Sequence, residues 1–294
     1  MNKNIVVAVI ALVLVGVGIY FYTNSKNMSN EHGEDTTGQP AAQSHRGYDI
    51  EVTSNTQNIQ PQKSTTITYK IKNDKDEILK DFEIAHEKIM HFILVRKDLQ
   101  QFQHLHPDYN ESTGEFKVDV TFPTDGPYRI FPDFTPGEEN PQKLPVTVFE
   151  DINVGNISKY QAQAVTADTQ SKKTFEGYDI TFTVPASLKK QQELTYELTI
   201  QQGGKPVANL QSYLGALGHS VILKEGTLDF IHTHALEGDN AEHGGGHMES
   251  STTASTGPDI KFATTFPESG KYKIFTQFQH QGKVLTTDYI IDVN

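Results

Sequence analysis

Two stretches of the chain repeat one pattern, MHFILVRKDLQQFQHLH at residues 90–106 and GHSVILKEGTLDFIHTH at residues 218–234, at an offset of 128 residues. The similarity continues on both sides of these stretches. GYDI (47–50) recurs as GYDI (177–180), and TFPTDGPYRIF (121–131) recurs as TFPESGKYKIF (265–275). Self-similarity over so long a period indicates a duplicated domain. The later segments lie further apart because the second copy carries an inserted loop at 235–259.

Each copy has the pattern of an all-β domain. Residues 66–71 (TITYKI) and 194–200 (LTYELTI) alternate apolar with polar side chains, as half-buried strands do. Tyr128 and Tyr272 each stand two residues after a glycine and two before an isoleucine, the spacing of the tyrosine corner in immunoglobulin-like domains. The sequence therefore predicts an all-β fold of two tandem immunoglobulin-like Greek-key sandwiches.

The N-terminus predicts a membrane anchor. Residues 5–22 (IVVAVIALVLVGVGIYFY) contain 18 apolar residues without a charge, and Lys3 precedes them. This length is near the minimum for a transmembrane helix, and the run ends in aromatic residues. We expect an uncleaved signal anchor, with a cleaved signal peptide as the alternative. Either places the rest of the chain outside the cytoplasm, and the expected anchor makes this a cell-membrane protein that spans once.

Composition and repeat boundaries together divide the chain into five segments. The polar stretch that follows the anchor has the composition of a disordered tether. The stretch between the two copies is polar as well and is expected to be a linker. The segments are the signal anchor or transmembrane helix (1–22), the tether (23–46), the first sandwich (47–154), the linker (155–176) and the second sandwich (177–294).

Charge and cysteine content exclude several classes of function. The chain has 37 acidic and 25 basic residues, a formal net charge of −12, so we expect no nucleic-acid partner. It has no cysteine, which excludes disulfides, thiol catalysis, zinc–thiolate sites and iron–sulfur clusters. Histidine, by contrast, is frequent, at twelve residues.

Three histidines in each copy are predicted to share one face of a β-hairpin. His104 and His106 are two residues apart on a predicted strand, and so are His232 and His234, which puts each pair on one face. If Lys97 faces Gln100 across the turn of the first hairpin, His91 lies opposite His106. The same alignment places His219 opposite His234, where facing side chains lie about 5 Å apart.

These clusters predict a metal site in each repeat. The histidine face is the more apolar one, so we expect a semi-buried pocket at one mouth of each sandwich. Three ring nitrogens with an open position suit Cu(II) or Zn(II), so copper is the expected cofactor and zinc the alternative. Met90 and Asp133 could add a fourth ligand to the first site, which is therefore expected to be the tighter one. The predicted ligands are His91, His104, His106, His219, His232 and His234, with possible accessory ligands at Met90, Asp133, His243, His247 and Met248.

Two other interpretations of the histidines stay open. They could be structural, with ring nitrogens satisfied by one another or by backbone. The chain would then be a non-enzymatic adhesion or interaction module. A three-histidine zinc ion could also activate water for hydrolysis. The sequence lacks His-Glu-x-x-His and Gly-x-Ser-x-Gly, however, so we expect no enzyme and no catalytic residue.

The same motifs carry a resemblance to a known family. HFILVRKDLxxFxHLHP followed by GxYRIFPDF, and YLGALGH (213–219) followed by FxHxH and YKIFxQF, resemble bacterial secreted or membrane-anchored proteins with immunoglobulin-like, YtkA-like domains. The resemblance covers both repeats and implies an association with copper handling outside the cytoplasm. One departure is Ala235, where the first repeat has Pro107. The expectation is a membrane-tethered protein that binds, sequesters or delivers copper, with a metal-transport protein as its expected partner.

Overall fold

The computed structural model describes residues 47–137, 140–236 and 257–294, which fall in one compact unit. Within these ranges no helix has the length and apolar character needed to cross a membrane. The predicted anchor (1–22) and tether (23–46) lie outside the described residues. So do three of the proposed accessory ligands, His243, His247 and Met248.

The first repeat is a β-sandwich of ten strands. One sheet has the order β1-β2-β7-β6, and the facing sheet has the order β10-β8-β4-β5, with β3 and β9 added along β8. All pairings are antiparallel. The strands are β1 (Tyr48–Val52), β2 (Ser64–Asn73), β3 (Phe82–Glu83), β4 (His91–Arg96), β5 (Gln103–Leu105), β6 (Asp108–Asn110), β7 (Glu115–Thr121), β8 (Gly126–Pro136), β9 (Val146–Thr147) and β10 (Glu150–Val154).

Over its described residues, up to 236 and from 257 onward, the second repeat is a sandwich of nine strands with the same plan. One sheet contains β11-β12-β13, with β14 and β17 both paired to β13, and the other has the order β16-β15-β18-β19. The prediction of an all-β, duplicated sandwich is confirmed. The strands are β11 (Lys172–Phe175), β12 (Tyr178–Thr183), β13 (Glu193–Gln202), β14 (Lys205–Pro206), β15 (Gly218–Lys224), β16 (Phe230–His234), β17 (Asp259–Thr265), β18 (Gly270–His280) and β19 (Lys283–Val293).

Both tyrosine corners form as the motif predicts. The Tyr128 hydroxyl donates to the Thr124 carbonyl at 3.0 Å, and the Tyr272 hydroxyl donates to the Glu268 carbonyl at 2.9 Å. Both tyrosines are fully buried. A buried hydroxyl needs such a partner, so each bond ties the start of β8 or β18 to the preceding loop.

The predicted hairpin register is also correct in both copies. In the first, Phe92 faces Leu105 and Ile93 faces His104. In the second, His219 faces His234 and Val221 faces His232. Neither pairing contains a bulge, so the histidines keep to one face of each hairpin.

The stretch predicted as a linker (155–176) is attached to the folded unit at several points. The Gln163 amide donates to Asp98, the Asp168 amide donates to the Ile290 carbonyl, and the Val165 side chain is buried. Its last residues form β11, which pairs with β12. The second sandwich thus begins at Lys172, within the predicted linker.

Most of the buried apolar side chains in the described part of the chain fall into three separate hydrophobic cores. One lies inside each sandwich, and the third lies between the two. Strands β4 and β15 are almost entirely buried. The side chains on one face of each strand pack in the core of its own sandwich, and those on the other face pack in this third core. The third core contains Ile93, Val95, Leu99, Phe131, Val165, Val221, Leu223, Leu228, Phe230 and Phe275.

Candidate metal centre

The histidine-bearing face of each hairpin packs against the other repeat. In the second copy Val221 and Phe230, on the histidine face, belong to the core between the sandwiches, whereas Ile222 belongs to the core inside its sandwich. The predicted pocket at the mouth of each sandwich is therefore wrong in its position. An apolar face is typical of a sandwich interior, but the apolar residues of the histidine face are covered by the other repeat.

The first triad consists of His91, His104 and His106. Their potential ligand nitrogens all lie within 4.8 Å of one another. His91 Nδ1 and His104 Nε2 are 3.0 Å apart, and His91 Nε2 is 3.2 Å from the Ala85 carbonyl oxygen. A carbonyl only accepts, so His91 donates from Nε2 and its Nδ1 carries the lone pair. His106 Nε2 is buried and has no hydrogen-bond partner among the described residues.

The second triad consists of His219, His232 and His234, and its potential ligand nitrogens also lie within 4.8 Å of one another. His219 donates from Nε2 to the Leu214 carbonyl at 3.1 Å. This leaves its Nδ1 as an acceptor, the same arrangement as in His91. His219 Nδ1, His232 Nε2 and His234 Nε2 are buried, and within the described ranges none has a hydrogen-bond partner.

Each triad is oriented by a side chain of the other repeat. Asp133, which faces His91 across β4 and β8, accepts a 2.7 Å hydrogen bond from His232 Nδ1. Gln277, which faces His219 across β15 and β18, has its Oε1 2.7 Å from His104 Nδ1. The two contacts are equivalent under the repeat symmetry, except that one partner is a carboxylate and the other an amide.

The possible fourth ligands from the first repeat occupy other positions. Met90 is buried in the core of the first sandwich. The two oxygens of Asp133 accept from His232 and from the Thr147 hydroxyl, the latter at 2.8 Å. Asp133 therefore lies behind a ligand of the second triad, where it holds the ring of His232 with Nε2 turned away from the carboxylate.

A seventh histidine, His86, joins the cluster and was missed from the sequence. Its ring stacks on His234, with centroids 3.6 Å apart, and lies 6.1 Å from His91. It sits in the short turn before β4, and the equivalent turn of the second repeat has Leu214 there. Comparison of the two copies could not find His86, because only the first copy has it.

Burial favours the neutral form of the histidine rings in the cluster. Desolvation lowers the pKa of His106 to about 4 and that of His219 to about 3. It also lowers the pKa of the other five. For Asp133, burial raises the pKa, and the nearby His91 and Thr147 offset part of the rise. Neutral imidazole is the form that binds a metal ion.

Some solved structures are distantly similar to this chain. Trypsin-activated alpha-2-macroglobulin from Escherichia coli is 10% identical, with a TM-score of 0.25 over 88% of this chain and 16% of that chain. The D00-D0 domain of intimin is 10% identical, with a TM-score of 0.20 over 83% of this chain and 98% of that one. At these TM-scores the likenesses carry no argument about function. No curated protein matches the sequence.

One protein family matches the chain twice. The family described as "Domain of unknown function (DUF8832)" matches residues 43–150 and residues 173–294. Each match contains one complete histidine triad, and together they cover more than half of the sequence. The chain therefore belongs to the DUF8832 family, as a protein with two copies of its domain.

Proposed function

We propose that this chain is a membrane-tethered, extracytoplasmic protein that binds copper through two three-histidine sites. The observation that carries the proposal is that each repeat brings three ring nitrogens within 4.8 Å of one another. Four of these nitrogens are buried with no hydrogen-bond partner in the described part of the chain. A buried, unpaired polar atom is costly, and a metal ion bound to these nitrogens would remove that cost.

The donor set supports copper first and zinc second. Imidazole suits both ions, and the chain has no cysteine to favour zinc through thiolates. Structural zinc sites usually have four protein ligands, whereas each triad offers three. The resemblance of both repeats to extracytoplasmic copper-associated domains favours copper. A binding role, in sequestration or in delivery to a metal-transport partner, accounts for this arrangement without a catalytic residue.

The proposal includes an immunoglobulin-like fold class and an N-terminal anchor. The order β1-β2-β7-β6 facing β10-β8-β4-β5 corresponds to the A-B-E-D and G-F-C-C′ sheets of immunoglobulin domains, and both tyrosine corners support the correspondence. The apolar run at residues 5–22 supports the anchor.

The competing function is an interaction module with structural histidines. The 3.0 Å contact between His91 and His104 favours it, because one ring can satisfy the other there without a metal ion. In that case the histidines stabilise the metal-free protein, and copper raises neither affinity for a partner nor the melting temperature.

Calorimetric titration of the full chain with Cu(II) tests the proposal. His243 and His247 are first replaced by Ala, so that the inserted loop contributes no ligand. Two equivalents are expected to bind. His106→Ala and His234→Ala, at equivalent positions, should each lower the affinity for one of the two copper ions. The loss should exceed the roughly 10- to 100-fold that is typical when a hydrogen-bond partner of a ligand is removed.

The matched control is His280→Ala. His280 is also buried, but it bonds Tyr178 and Asn209 outside the cluster, so this variant should lose stability and keep both copper equivalents. Binding no tighter than about millimolar, or binding that His106→Ala and His234→Ala leave unchanged, would contradict a copper function.

A further inference from the structure

The two triads are neighbours across the interface between the repeats. The ring centroid of His91 lies 5.5 Å from that of His232 and 6.5 Å from that of His219. His104 lies 6.2 Å from His232. His86 extends the contact, because its ring stacks on His234 and also approaches His91. Among the described residues, seven imidazoles thus form one continuous cluster, with three in the second repeat and four in the first.

We propose that the two triads form one binuclear centre across this interface, and that it loads in a fixed order, with the His219 triad first. The inference rests on the proposed metal-binding function and adds to it the coupling of the two ions and their sequence of binding. The loading order is the reverse of the one expected from the sequence.

The first reason for this order is the state of the donor nitrogens. All three nitrogens of the His219 triad are unpaired within the described residues. In the other triad His91 Nδ1 and His104 Nε2 already contact each other at 3.0 Å. A neutral His104 has one N–H, which donates either to Gln277 Oε1 or to His91 Nδ1. In the second case an ion that enters this triad has to displace the hydrogen bond between the two rings, whereas an ion in the His219 triad displaces no hydrogen bond of the described residues.

The second reason is the chemical difference between the two orienting side chains. Asp133 accepts a hydrogen bond from His232 Nδ1. The carboxylate therefore makes His232 a stronger metal ligand and places a negative charge near the ion. Gln277 occupies the equivalent position behind His104 and is neutral. Attraction to a carboxylate is strong in a poorly solvated site, so the first ion is expected in the His219 triad.

The second ion should bind more weakly than the first. It enters a cluster of neutral rings a few ångströms from an ion of the same sign, and Asp133 is already engaged by the first site. Repulsion between like charges at such a separation is weakly screened when the groups are buried. The two equivalents should therefore bind in distinguishable steps.

Electron paramagnetic resonance of the full chain, in the background without His243 and His247, tests the coupling. At one equivalent of Cu(II) we expect the spectrum of an isolated ion. At two equivalents we expect dipolar broadening and a half-field transition, which only a pair of nearby Cu(II) ions produces. His106→Ala and His234→Ala should each abolish the half-field transition and retain an isolated-ion spectrum.

Two single-triad backgrounds test the order and the role of Asp133. His106→Ala should retain the tighter step and His234→Ala the weaker one. Asp133→Asn should weaken copper binding about 10- to 100-fold in the His106→Ala background and by a clearly smaller factor in the His234→Ala background, where Asp133 faces His91 without a hydrogen bond to it. A merely structural role of Asp133 would weaken both equally. The isosteric Gln277→Glu should tighten binding in the His234→Ala background.

The possible failures are distinguishable. Absence of copper binding in every variant would remove the proposed function itself. Two bound ions without a half-field transition would keep that function and overturn the binuclear centre. Tighter binding in the His234→Ala background, or equal effects of Asp133→Asn in both backgrounds, would overturn the loading order.

Discussion

A backbone carbonyl determines which ring nitrogen is free in one histidine of each triad. His91 donates to the Ala85 carbonyl and His219 to the Leu214 carbonyl, so both rings present Nδ1 to their triads. Both carbonyls belong to the short turns that precede β4 and β15. A single hydrogen bond therefore fixes the tautomer of each ring before any ion arrives.

The neutral histidines should make the metal-free protein sensitive to acid. Desolvation lowers the pKa of His106 to about 4 and that of His219 to about 3, against an unfolded value near 6.5. Between these folded pKa values and about pH 6.5, the unfolded state binds more protons than the folded state, so the free energy of unfolding rises with pH. Calorimetry should show the melting temperature falling from about pH 6.5 to about pH 4.

A matched variant checks the source of this acid sensitivity. His219→Asn removes one titrating ring, so its melting temperature should fall less steeply over the same range. A metal-free protein whose melting temperature is constant across that range would contradict the assignment of neutral, buried rings.

Two elements, the β4–β5 and β15–β16 hairpins, hold the triad histidines in register. Each has one histidine at the start of its first strand and two in, or directly after, its second strand. Because side chains alternate along a strand, a slip of one residue would move a ligand to the inside of the sandwich. Tight anchoring of the neighbouring strands β8 and β18 helps to preserve this register.

The tyrosine corners provide part of that anchoring, and replacing them should be measurable. Tyr128→Phe and Tyr272→Phe each leave a backbone carbonyl without its hydroxyl donor. Each should lower the free energy of unfolding by about 0.5–1.5 kcal/mol, measured by urea denaturation. Tyr109, whose hydroxyl bonds Lys80 at a more exposed site, is the control, and Tyr109→Phe should cost less. Corner variants as stable as the unaltered chain would contradict this role.

Aromatic packing and hydrogen bonds join the two repeats at their interface. Phe102 stacks on Phe275 with centroids 4.3 Å apart, and Phe131 lies 5.2 Å from Phe230. The same interface carries the hydrogen bonds from His232 to Asp133 and between His104 and Gln277. Apolar packing therefore holds both orienting side chains against the rings of the opposite repeat.

Disrupting this packing should weaken both stability and metal binding. Phe275→Ala is expected to cost about 3–5 kcal/mol of unfolding free energy. A double-mutant cycle with Phe102→Ala should give a coupling of about 0.5–1.5 kcal/mol. Phe182 is the control, because it stacks on Tyr289 within the second sandwich and should show no coupling to Phe102.

Copper affinity should fall in Phe275→Ala and not in Phe182→Ala, which would show that the packing between the repeats supports the proposed metal site. Equal loss in Phe182→Ala would indicate general destabilisation.

Local patterns in the sequence determined the all-β duplication, the two tyrosine corners, the register of both hairpins and the membership of each triad. They could do so because strand alternation and turn chemistry act between residues that are close along the chain. Only the tertiary structure decided that the two histidine faces meet and that His86 joins the cluster. It also decided that Asp133 and Gln277 contact histidines of the opposite repeat. Strands β4 and β15 are apolar on both faces, and such a pattern does not distinguish a sandwich interior from a surface covered by the other repeat.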